Sequence, residues 1–255
     1  MFYARTVPPS TPRSAAEPPT LPPAPHRGPH REPPRRRTAL TLEAVVQAAL
    51  AVLDEAGVAG LSMRRVADRL GTGASSLYAH VSGKDELVAL VFDELVGQVP
   101  LPEPDAQRWR EQVIAVMTGL RDVLVGHRDA ALAALGRVPT TPNTLAASEV
   151  LVTTMRLGGL ADRVIGLALD QLTLYVAAAA FEASIYRDEF SSDGDRQRYF
   201  EEVHDFYDAL PADRFPTMAS LAADITAFDA EERFRFGLEV FLAGFEAMSR
   251  REPQG

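Results

Sequence analysis

The sequence predicts an all-α fold in two parts, a three-helix N-terminal unit and a longer helical body. Three observations carry this. From Thr41 onward apolar residues recur at intervals of three and four, no stretch shows the alternation of a half-buried strand, and capping residues and glycines punctuate the apolar runs at helical lengths. Pro100, Pro102 and Pro104 mark a break between the parts. A chain of 255 residues is long enough for two domains, expected at 38–100 and 101–255 behind a tail at 1–37.

The tail holds eleven prolines among arginines, serines and threonines, with almost no aliphatic periodicity. It cannot bury enough surface to offset the entropy of ordering it, so disorder is expected. Its first residues lack the apolar core of a secretory signal, which argues against export and for a cytoplasmic location. Arg35, Arg36 and Arg37 read equally as a basic arm adding phosphate contacts or as a solvated extension.

Thr41 then caps a helix with Val45, Ala48, Ala49, Val52, Leu53 and Ala56 on one face, ended by Gly57. Ser62 caps a second, with Val66, Ala67 and Leu70 apolar, stopped by Gly71-Thr72-Gly73. A third follows at once: Leu77 is its apolar contribution, while Ala74, Ser75, Ser76, Tyr78 and Ala79 are small or hydroxyl-bearing. Two helices joined by a short glycine-containing turn form a helix-turn-helix, whose second helix enters the DNA major groove. Ser82-Gly83-Lys84-Asp85 has the serine-x-x-acid start of a further helix, running through Leu87, Leu90, Val91 and Leu95 to a stop near Pro100. This helix links the two parts.

In the body, Trp109, Val113, Val116, Met117, Leu120 and Leu124 form one apolar stripe. Helices are expected at 130–135, 143–157, 161–187 and 230–249, the last with Phe234, Leu238, Phe241, Leu242 and Phe245 on one side. Residues 188–216 read as polar with an amphipathic piece between. No uninterrupted apolar run approaches a membrane span, the longest being 174–181. The absence of cysteine excludes disulfides, thiolate metal sites and cysteine nucleophiles. The five histidines are scattered, and no nucleophile-base-acid pattern, phosphate loop or metal motif supports an enzyme. His204 with Asp205 and Asp208 has one-face spacing suited to a cation, but reads more simply as a solvated face.

The net charge of −9 hides an asymmetry: seven arginines against two acids in residues 1–37, four bases against eight acids in 38–100, fifteen against twenty-five thereafter. An acidic protein binds DNA only through bases focused on one face. Lys84, the one lysine, falls within the helix-turn-helix stretch.

The order LSMRRVADRL, a glycine turn, SSLYAHV, then SGKDELV resembles the TetR family of bacterial transcriptional regulators, strongly over residues 41–97. Leu77-Tyr78-x-His80-Val81 followed by Lys84 and Leu87 is its most specific piece. His127-Arg128-Asp129, Phe236-Gly237-Leu238-Glu239 and Gly244-Phe245-Glu246 resemble the tetracycline-repressor branch. The resemblance implies an all-α homodimer with an N-terminal helix-turn-helix head and a C-terminal ligand-binding and dimerisation domain, in which a small molecule changes the spacing of the two heads. It also implies that Tyr78 and Lys84 meet phosphates. The chemistry agrees, since Tyr78 offers a hydroxyl donor and Lys84 sits at a helix start that favours phosphate.

Residues 73–79 contain no arginine, lysine, asparagine or glutamine, so base reading is expected from elsewhere. Arg64 resembles a family position that reaches a base and suits guanine, while Thr72, Ser75 and Ser76 could read either base type, with Ala74 or Ala79 against a thymine methyl. Thr41 and His80 complete the expected DNA contacts. Where the tetracycline branch has a metal-binding histidine this chain has Ala134, and Val138 replaces an arginine, so neither metal nor cofactor is expected. An apolar effector is expected instead, held by Trp109, Val113, Met117, Leu135, Val138, Gln171, Leu174 and Tyr175. Residues 161–187 and 230–249 are the candidate dimer helices, with the small-residue run 176–180 and Phe241 and Phe245 either at the interface or in the protomer's own core. The function expected is a repressor released from a palindromic operator by a small apolar molecule. The alternative is a helical partner-binding adaptor that has lost DNA binding.

Overall fold

A computed structural model describes residues 40–135, 138–227 and 229–252, which fold into helices and connecting turns with no strand among them. The expected disorder of residues 1–37 lies outside the described residues.

α1 (Leu42–Gly60) begins as its capping residue predicts, the Thr41 hydroxyl accepting from Ala44 N at 3.1 Å. Gly57 interrupts it with φ +67° and ψ 178°, so the regular helix stops where the sequence places its end and one more turn follows beyond a kink. α2 (Met63–Arg69) is capped by Ser62, whose Oγ accepts from Arg65 N at 3.3 Å. α3 is shorter than expected, Ala74–Leu77, and Tyr78 to His80 continue as a tightened turn in which His80 N donates to Leu77 O. α4 (Lys84–Val96) starts differently from the serine-x-x-acid expectation: Gly83 is the capping position, and both Ser82 N and Ser82 Oγ donate to Glu86 Oε2, each at 2.6 Å.

Past the extended stretch at Pro100–Pro104 come α5 (Trp109–Gly126), α6 (Ala130–Ala134), α7 (Pro142–Leu157) and α8 (Asp162–Glu189), then α9 (Asp193–Asp208), the short α10 (Pro216–Ser220) and α11 (Ala222–Thr226), and finally α12 (Ala230–Ser249). α9 covers the amphipathic piece expected within residues 188–216, and α10 and α11 are not among the helices the sequence predicts. α9, α10 and α11 pack on one another, α9 burying no residue fully, while α8 lies against α5, α6, α7 and α12 as the central helix.

The interior of the head (Leu53, Leu61, Val66, Leu77, Leu87) runs without a break through α4 (Val91, Leu95) into that of the body (Val113, Met117, Leu172, Leu238, Leu242), and residues from Leu40 onward form one compact unit. Each such fully buried leucine contributes about 1.5–3 kcal/mol. α8 contains the apolar run 174–181. The helix as a whole is long and apolar enough by composition to cross a membrane, with a mean hydropathy of 1.7 over its best window. Asp170 and Gln171 interrupt it ahead of that run, which hid the helix from a count of uninterrupted apolar residues. Part of its apolar surface, Leu172, Val176 and Ala180 among it, is core in the folded chain.

Candidate functional site

The helix-turn-helix is held from beneath and open on top. Leu77 anchors α3 at 0% exposure, and Gly71 turns the chain with φ +61°. Tyr78 is 58% exposed, so it is not a core aromatic. Ser75, Ser76, Lys84 and Thr41 are exposed; Thr72, Ala74 and His80 are half-buried. Thr72 Oγ1 donates to Ser76 Oγ at 3.1 Å, which orients both hydroxyls across the turn. Arg64 has a 90% exposed side chain with Asp68 4.0 Å away, whereas Arg65 Nη1 is spent on Gly60 O at 3.3 Å. The two neighbouring arginines therefore have different surroundings, one in solvent and one bracing α1. Lys84 Nζ donates to Val58 O at 3.0 Å, so its charge lies between the α4 start and the α1 kink.

The head meets the body around that kink. Asp129, at φ +53° the described non-glycine residue with positive φ, accepts from Val58 N at 3.2 Å, and His127 Nδ1 lies 3.0 Å from Asp54 Oδ1.

Below the head a cavity of about 650 Å³ is enclosed by α4, α5, α7 and α8 with the segment after α6. Phe92, Val96 and Val99 form its roof, Val116, Met117 and Leu120 one wall, and Leu151, Leu169, Leu174 and Ala177 the other. Polar groups sit along the α7 and α8 side: Thr140, Thr141, Thr144, Ser148, Asp170 and Thr173. Ser148 Oγ and Thr173 Oγ1 donate to carbonyls of their own helices, Thr144 O and Leu169 O, which leaves oxygen lone pairs for a ligand.

Of the eight residues the sequence suggests for a pocket, the structure brings Met117, Leu135, Val138 and Leu174 together here. The other four lie elsewhere. Val113 is buried among the α5 core contacts, and Trp109 packs on Gly158, where an added Cβ would stand 2.5 Å from its ring. Gln171 is exposed on α8. Tyr175 is stacked on Phe234 with centroids 5.3 Å apart, its hydroxyl donating to Phe234 O at 3.2 Å, and burial raises its pKa. Sequence reasoning did not single out Phe92, Val96 and Val99 or the hydroxyls at the start of α7, because periodicity gives the face a residue lies on and not whether that face meets a neighbour or a cavity.

Of the two readings open for the small-residue run and the α12 phenylalanines, the structure takes the second. Val176, Ala177, Ala180 and Phe245 are buried, and Phe241 meets Tyr175 edge-on at 5.3 Å, so these residues face the protomer's own core. Exposed apolar side chains on the same two helices are Leu167, Leu174, Phe181 and Ile185 of α8 and Phe236, Val240 and Met248 of α12. Their spacing of four, seven or eight residues lays a stripe along each helix. His204 binds within its own layer, Nδ1 at 2.5 Å from Thr226 Oγ1 and Nε2 at 3.5 Å from Asp208 Oδ2.

An exposed helix-turn-helix on a helical body whose cavity is roofed by the connecting helix defines the class: a DNA-binding regulator. The family model for bacterial regulatory proteins of the tetR family matches residues 45–91, and that for the tetracyclin repressor-like C-terminal domain matches residues 101–249. The chain belongs to the tetR family. An HTH-type transcriptional regulator of Saccharopolyspora erythraea is 35% identical over 86% of this chain and 89% of its own length. The HTH-type transcriptional repressor DrrR1 of Streptomyces coeruleorubidus is 33% identical over 83% of this chain and 79% of its own. The crystal structure of ActR from Streptomyces coelicolor in complex with actinorhodin is 39% identical, with a TM-score of 0.74 covering 83% of this chain and 98% of that one.

Proposed function

We propose that this regulator is a cytoplasmic repressor that binds a palindromic operator as a homodimer, with its heads in major grooves about one helical turn apart, and is released when a small, largely apolar molecule fills the cavity below the head. The observation that carries this reading is the shared helix: α4 begins at the helix-turn-helix, and its Phe92 and Val96, with Val99 just past its end, roof the cavity. A ligand packed there contacts the element that positions the head. A ligand shifts such an equilibrium only by its difference in affinity between the two states, and a wall helix that moves supplies that difference.

The likeness to ActR with bound actinorhodin supports a small-molecule effector, and the apolar walls with a hydroxyl-lined edge support one that is largely apolar with a few polar groups. For DNA, Arg64, Thr72, Ser75 and Ser76 are assigned to base edges, and Thr41, Tyr78, His80 and Lys84 to the backbone. The exposure of Tyr78 and of the α3 serines favours this over an adaptor that has lost DNA binding.

A gel-shift titration on the DNA upstream of the protein's own gene, with and without actinorhodin, tests the reading. Salt-sensitive, sequence-preferring binding relieved by the ligand supports it; sequence-indifferent binding at every salt concentration returns the adaptor.

A further inference from the structure

α4 is fastened near both ends. At its start Lys84 Nζ holds Val58 O beyond the α1 kink, at 3.0 Å. Nine residues on, about 13 Å along the helix, Asp93 is only 7% exposed, and its carboxylate Oδ1 accepts from the backbone N of Thr144 at 2.9 Å. The Asp93 carbonyl accepts from Asn143 Nδ2 at 3.1 Å. The helices approach this closely because residue 97 is glycine: a Cβ there would stand 2.7 Å from Asn143 Nδ2. Asn143 and Thr144 belong to the first turn of α7, and Thr144 is also cavity wall, its hydroxyl donating to the carbonyl of Thr141, another wall residue. One buried carboxylate on the linking helix therefore grips the part of the cavity wall that carries hydroxyls.

We propose that Asp93 is the positioning residue through which the cavity wall sets the place of α4, and hence of the head. The proposal rests on the effector-released reading above. Phe92 and Val96 also touch the cavity, but apolar contact is non-directional and tolerates sliding. A buried acceptor oxygen that loses its donor stays desolvated and unpaired, so α4 follows the first turn of α7 instead of slipping past it.

Coupling between sites is reciprocal, so operator binding must in turn change the first turn of α7. This can be read without any effector, by hydrogen exchange on the full chain, free and bound to a DNA fragment that it shifts in the gel assay. In the wild type, the amides of residues 143–148 are expected to slow by about fivefold on DNA binding. Asp93→Asn keeps the acceptor oxygen and is expected to keep the response. Asp93→Ala is expected to lose it while still shifting DNA, a result that a merely structural role does not produce. Asn143→Ala, which leaves the carboxylate paired, is expected to keep the response, and with Asp93→Asn it keeps the proposal testable should Asp93→Ala not fold. A wild-type response retained in Asp93→Ala, or a response lost in Asp93→Asn or in Asn143→Ala, overturns the proposal. A wild type that binds operator with no change in α7 overturns it alone; a wild type that shifts no DNA overturns the regulator reading beneath it.

Discussion

Arg64 and Arg65 are adjacent, identical in chemistry and different in role, because a helix start points one into solvent and turns the other back onto Gly60. Bidentate contact to guanine is what a free guanidinium does best, so Arg64→Ala is expected to cost about 1–3 kcal/mol at one operator position and to relax the preference there. Binding to a panel of single-base operator variants measures it. The Ser82 hydroxyl and amide, both donating to Glu86, hold that carboxyl below its ordinary pKa. A lowered folded-state value means that the stabilisation is present above the ordinary carboxylate range and is lost as pH falls through the lowered one. Ser82→Ala is expected to move the Glu86 titration back up, as NMR of the side-chain carboxyl would show. The helix caps at Thr41 and Ser62 were legible in the sequence because they are local. The partner of Ser82 was not, since Asp85 and Glu86 are adjacent and either carboxylate could turn back onto the serine.

Among the elements, the pairing of α8 with α12 depends on one missing side chain. Tyr175 crosses from α8 to lie over Gly237 of α12, and any Cβ at residue 237 would overlap its phenol. Arg121 on α5 joins the same cluster. Burial opposes its charge, but hydrogen bonds to Asp122 and Glu231 outweigh it and raise its pKa, and its guanidinium stands 4.4 Å from the Phe234 ring. Gly237→Ala is therefore expected to cost about 1–3 kcal/mol by overpacking and to lower Tm by several degrees in a calorimetric scan. Helix order and core faces could be read from periodicity, since spacing alone sets which residues share a face. The cavity could not. Whether an apolar residue on α5 or α8 touches a neighbour or empty space depends on how four helices cross, and this is why Met117 and Leu174 line the cavity while Val113 and Tyr175 do not.

At the scale of the molecule, the exposed stripes of α8 and α12 leave an apolar surface that a second copy would cover. Val240 is 54% exposed in its middle. A charge placed there and then buried costs several kcal/mol unless it is paired, so Val240→Asp is expected to yield monomers by sedimentation and to weaken operator binding, with the protomer's fold intact by circular dichroism. The sequence left Phe241 and Phe245 open between the interface and the protomer's own core, because an aromatic pair reads the same whether it faces a partner or its own core. The position of Trp109 has a practical consequence. It is the one indole in the chain, desolvated against Gly158 and apart from the cavity. Its intrinsic fluorescence therefore reports the integrity of the α5–α7 junction and should shift to longer wavelength on denaturation. A colourless ligand seated in the cavity should leave the emission maximum where it is, which gives an optical measure of folding independent of occupancy.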